Sequence, residues 1–132
     1  MIYIVLNAPA ILAATLAGLI FGMILHRLAQ VRPPARNRGA VTLLIAFLAQ
    51  AWLCAILAGA LILAPPKGSV WTMTLGSAFV IWIGFVAPVL IASYRARALA
   101  WRSAAVDCLL WLGTMLVQAV ALRLIGLVPP PG

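Results

Sequence analysis

Four long apolar runs, separated by short polar or proline-rich connections, make up nearly the whole chain. A helix crossing the hydrocarbon core needs about 20 mostly apolar residues, and every run is that long. The first covers residues 8–28, with Asn7 where an N-cap belongs and Pro9 in the first turn, where a missing N–H is tolerated. The second covers residues 40–64 and stops at Pro65-Pro66-Lys67-Gly68. The third covers residues 72–94, with Trp71 and Tyr94 at its ends, the headgroup level that amphipathic rings prefer. The fourth covers residues 103–128 and stops at Pro129. This pattern predicts one all-α domain over residues 1–132, an integral membrane bundle of four transmembrane helices. Short connections make successive helices antiparallel neighbours.

Small residues mark where helices can approach. Gly18 and Gly22, extended backwards by Ala14, form one stripe, and Ala51, Ala55 and Gly59 form another at four-residue spacing. In lipid such stripes let backbones come close. The third run is interrupted by Gly76, Gly84 and Pro88. Pro88 has no N–H for the carbonyl of Gly84, which predicts a kink. Val31-Arg-Pro-Pro breaks the chain between the first two runs.

Composition agrees with a lipid solvent. Apolar residues are 67% and charged residues 8%, where a soluble domain carries about 25% charge. The net charge is +8, from nine Arg and Lys against one acid, Asp107. Such an excess can signal nucleic-acid binding, but here it lies between apolar runs. Arg27, Arg32, Arg36 and Arg38 flank the first connection and Arg95, Arg97 and Arg102 the third. The second connection holds only Lys67, and the residues before the first run hold no charge. The positive-inside rule then puts both Arg-rich turns in the cytoplasm and both termini outside. No basic residue precedes the first run and no small-residue cleavage site follows it, so it is expected to be a retained helix.

Few residues remain for chemistry. Asp107 lies about one turn inside the basic end of the fourth run, and an ionisable group in a bilayer is either paired or functional. It reads as a structural ion pair with Arg27 or Arg102, or as a proton-relay carboxylate working with His26. Arg123, near the opposite end, reads as a snorkelling cation or an anion contact. Gln50 and Gln118 lie mid-span and read as interhelical hydrogen-bonding groups. Counted from the helix ends their depths differ by roughly 7.5 Å, which argues against a direct pair unless the helices tilt. Trp52, Trp82 and Trp111 lie deeper than an interfacial belt, and each indole N–H needs an acceptor; Gln50 and the carbonyl freed by Pro88 are candidates. Cys54 and Cys108 behave as small apolar residues, or bridge if the second and fourth helices touch there.

One histidine and two distant cysteines do not supply a zinc site, and no bis-histidine haem fits within one chain. The chain has no phosphate loop, serine elbow or paired carboxylates. No metal or cofactor is expected, and no enzymatic activity.

The segment Val80-Ile-Trp-Ile-Gly-Phe-Val-Ala-Pro-Val-Leu90, the basic turn with Trp101, and Val106-Asp-Cys-Leu-Leu-Trp-Leu112 together resemble the DUF1761 family. Those are small bacterial membrane proteins with four predicted transmembrane helices and no assigned activity. The resemblance covers roughly residues 80–126 and implies that Trp82, Gly84, Phe85, Pro88, Trp101 and Asp107 belong to the family pattern. Near the end of helix one the family tends to carry a Trp-Tyr pair, and this chain departs from it with Gly22-Met-Ile-Leu-His26. The resemblance implies a multi-pass protein of the bacterial inner membrane. Three functions are carried forward. The first is a noncatalytic accessory subunit that packs with itself or a larger membrane complex. The second is a small proton-coupled transporter or channel subunit using Asp107. The third is a binder of a lipid-soluble cofactor such as a quinone, resting on Trp82, Trp111 and His26.

Overall fold

The computed structural model of the protein describes residues 1–28 and 39–131. Arg32, Arg36, Arg38 and the Val31-Arg-Pro-Pro break lie outside the described residues. The structure is all-α among those described, with four helices long and apolar enough to cross a membrane: Ala8–Leu28, Ala40–Leu63, Val70–Ala96 and Trp101–Ile125. In element terms these are α2 (Ala8–Leu28), α3 (Ala40–Leu63), α4 (Val70–Ile81) with α5 (Ala87–Ala96), and α6 (Trp101–Ile125), preceded by a short α1 (Ile2–Leu6).

Several of the expected boundaries move by one to three residues. The chain is already helical before Ala8, because α1 precedes Asn7. At the other end α6 stops at Ile125 rather than 128: Gly126 takes φ +91°, a conformation that suits glycine and ends the helix, and residues 127–131 continue without regular structure.

The interruption of the third span is a π-turn, Trp82–Val86, in which the Ala87 N–H reaches back to the Trp82 carbonyl. Pro88 follows directly, in the first turn of α5. Because proline cannot donate to Gly84, one wider turn absorbs the break and the helix continues. Gly84 itself borders open space and Pro88 is exposed. Neither is a helix-packing residue within this bundle, contrary to the expectation for this pair.

Successive spans pack together, but α6 organises the bundle. It packs most extensively along α2 and also touches α3 and each part of the third span, whereas α2 makes no contact with the third span. Its sequence explains this. Ala104, Cys108, Thr114, Met115, Gln118, Ala119 and Leu122 are all buried, at helical spacings that place them on one broad face of α6, the face the other spans cover. Cys54 and Cys108 are buried free thiols. The outward-facing side chains are large and apolar, among them Ile45, Leu48, Phe85, Val89 and Leu109.

The α2–α6 contact uses the first predicted stripe. A Cβ on Gly18 would stand 2.8 Å from Gln118 Nε2 and 3.0 Å from its Cγ, and one on Gly22 would meet Thr114 Oγ1 at 3.8 Å. Four residues forward on α2 are four back on α6, as antiparallel helices require. Gly113 returns the contact, since its Cβ would lie 2.8 Å from the Phe21 ring. The α3 stripe divides differently. Ala55 is buried and Ala51 half-buried, while Gly59 receives the Tyr3 ring of α1, whose hydroxyl oxygen would lie 2.9 Å from a Cβ there.

Candidate functional site

Hydrogen bonds across the bundle begin at the two termini. Asn7 is 2% exposed. Its side-chain amide donates to the Val128 carbonyl and its Oδ1 accepts from the Val128 N–H, at 2.8 and 2.7 Å, and it also donates to Tyr3 O at 2.8 Å. The expected capping role is corrected here: only the Asn7 main-chain carbonyl serves α2, accepting from Ile11 N–H, while its side chain is committed to Tyr3 and Val128. Tyr3 in turn donates to Ala55 O of α3 at 3.2 Å. Both termini therefore lie at one end of the bundle.

Also in that half of the bundle, Arg123 Nε donates to Thr74 Oγ1 at 3.0 Å, and Thr74 donates to Val70 O at 2.8 Å. Arg123 thus ties α6 to α4. Thr15 and Thr114 likewise donate to carbonyls four residues back, Ile11 and Leu110, so buried hydroxyls are satisfied within their own helices.

Arg27 closes α2, and Arg95, Arg97 and Arg102 flank the α5–α6 turn, so these cations share the opposite end, here termed the basic end. In that turn Ala98 adopts φ +53°, its N–H bonds to Arg95 O, and the Leu99 N–H bonds to Tyr94 O. This double closure normally calls on glycine. It turns the chain directly into α6 and brings Tyr94 against Asp107, to which its hydroxyl donates through a short contact. Asp107 is therefore not joined to His26, Arg27 or Arg102, and the ion-pair expectation is corrected. The acceptor needs only one donor at the edge of the membrane, and the hairpin supplies a nearer one than α2 does. Arg95 lies over the Trp101 ring, 4.9 Å from its centre, and Arg97 donates to Ser93 O.

The tryptophans divide three ways. Trp82 donates to the backbone carbonyl of Cys108 at 2.8 Å and packs against Phe79. Its acceptor is neither Gln50 nor the Gly84 carbonyl but this carbonyl of α6. Trp52 is 57% exposed on the outer face of α3. Trp111 lines a cavity.

That cavity, of about 450 Å³, lies between α2, α3 and α6 in the half nearer the basic end. Leu19, Met23, Phe47, Leu110 and Trp111 form apolar walls, and His26, Gln50 and Thr114 contribute the polar atoms. Gln118, fully buried one turn beyond Thr114, donates through Nε2 to Gln50 Oε1 at 3.4 Å. The depth count that argued against this pair treated the helix ends as level and the side chains as points; two long amides reach across the offset. Gln118 Oε1 and His26 Nδ1 are buried atoms without a hydrogen-bond partner among the described residues.

Of the sequence candidates, then, His26, Gln50 and Gln118 come together with Trp111, while Asp107, Arg27, Arg102 and Arg123 stand elsewhere. Sequence reasoning missed Asn7, Tyr3, Tyr94, Gly113 and Thr114 as contact residues. The hairpin rule held a usable signal for Tyr94, since polar groups near the ends of adjacent antiparallel helices meet. No protein-family model, curated protein or solved structure matches this chain.

Proposed function

We propose that this chain is a noncatalytic subunit of a membrane assembly, acting by packing against a second copy of itself or a larger complex. The observation that carries this reading is Trp52. It stands midway along α3, more than half exposed, and its indole N–H has no acceptor among the described residues. Acyl chains offer no acceptor, so a protein neighbour is the economical partner for an indole at that depth. The other intramembrane groups support the reading: Asp107, Arg123, Trp82 and Asn7 are each engaged in holding the bundle together. On this reading the basic turns face the cytoplasm of a bacterial inner membrane, and the DUF1761 resemblance belongs to the same proposal. Native mass measurement in lipid nanodiscs tests it. An assembly that Trp52→Leu weakens supports it; a lone monomer at membrane-like protein density retires it.

The proton-coupled transporter is less favoured, because Asp107 does not line the cavity and its carboxylate is already engaged by Tyr94. Proton-coupled uptake in proteoliposomes that disappears in Asp107→Asn would reverse that preference.

A further inference from the structure

We propose that the cavity between α2, α3 and α6 is a binding site for a neutral, ring-bearing lipid-soluble molecule carrying carbonyl or hydroxyl oxygens, the chemistry of a quinone or quinol head. Three independent features converge on it. First, its volume of about 450 Å³ falls within the range of about 300–1,000 Å³ that small-ligand sites occupy. Second, three polar side chains, His26, Gln50 and Thr114, line it among otherwise apolar walls. Among the described residues the two buried side-chain atoms without partners are His26 Nδ1 and Gln118 Oε1; His26 lines the cavity and Gln118 backs Gln50, which does. A polar group left unpaired in lipid is costly, and His26 is the one of these two residues that lines the space. Third, the walls are hydrophobic and aromatic, with Phe47 and Trp111 offering flat faces.

The lining also selects the ligand. No acid borders the cavity, so an organic cation would enter without a counter-charge. The His26 imidazole, which lines the cavity, donates or accepts according to its protonation and tautomer. Gln50 accepts from Gln118 through Oε1, which leaves its Nε2 to donate to a ligand oxygen. Thr114 donates to Leu110 O and keeps acceptor capacity for a ligand hydroxyl. One ring oxygen near His26 and one near Gln50 fits this set, with the alkyl tail left to the hydrocarbon.

The site is tested by quenching of tryptophan fluorescence in nanodiscs, titrating a short-tailed benzoquinone, its quinol, and an alkylbenzene of similar size without oxygens. The expected result is saturable quenching by the quinone beyond simple lipid partitioning, and competition by the quinol but not the alkylbenzene. The saturable part shrinks in Trp111→Phe. His26→Ala and Gln50→Leu each weaken binding by about tenfold, the scale of one hydrogen bond. Ala46 of α3 also lines the cavity, so Ala46→Phe fills it and removes saturable binding while helical content and melting temperature stay near those of the parent. Absence of saturable quenching overturns the proposal, as does equal competition by the alkylbenzene. Unchanged affinity in a folded Ala46→Phe protein overturns it too.

Discussion

At the end where the termini meet, Asn7 grips both polar atoms of the Val128 backbone and Tyr3 reaches across to α3; Arg123 and Thr74 bond in the same half. At the basic end Asp107 depends on a single tyrosine hydroxyl, and His26, which lines the cavity, has an Nδ1 with no partner among the described residues. In a low-dielectric surrounding, polar groups that hold the fold are satisfied by the fold. The contrast marks the terminal half as the clamp and the basic half as the side of the proposed binding site.

Gly18, between the two halves, gives the largest expected effect. Gly18→Leu drives a branched side chain into Gln118 and separates α2 from α6, a loss of about 3 kcal/mol by overpacking. Reversible unfolding in mixed micelles measures it, and a near-parental midpoint would show that the α2–α6 seam is not what closes the bundle.

Next comes the clamp. Asn7→Ala removes both bonds to Val128, with an expected cost of about 2 kcal/mol. Hydrogen exchange should accelerate at the Val128 amide and leave amides around Asp107 unchanged. Equal acceleration at both ends would break the division drawn between them.

Tyr94→Phe removes the donor to Asp107 and should cost about 1.5 kcal/mol, the lower range for a bond to a charged group. A double-mutant cycle with Asp107→Asn isolates the pair. If the two losses simply add, the contact carries no coupling and the structural reading of Asp107 fails. Smallest, and opposite in sign, is Ala98→Gly. Relief of the left-handed alanine should stabilise the protein by about 1 kcal/mol. No gain in melting temperature would mean that the turn is not strained.

Much of the fold was legible because lipid imposes a simple length and polarity rule. Four apolar runs became four spans with bounds displaced by three residues or fewer, and Gly18 and Gly22 were readable as a contact stripe because only small side chains allow that approach. The interruption near Pro88 was legible as well, since a proline must leave one carbonyl without its donor. Its form was not, because a kink and a π-turn both accommodate the loss. The site was half legible. His26, Gln50, Gln118 and Trp111 were singled out as polar or aromatic groups in an apolar sequence, but nothing in their spacing joined them, as they sit on three different helices.

The chain by itself determined that this is a four-span helical bundle with its described cations concentrated at one end, because burial of backbone and charge in lipid allows no other arrangement of such runs. Tertiary structure alone decided partner choice: Asp107 with Tyr94 rather than an arginine, Arg123 with Thr74, Asn7 with Val128 rather than its own helix. Partners follow from helix rotation and axial offset, which depend on how whole faces pack. Hydrophobic periodicity is uninformative there, because a helix in lipid is apolar all round.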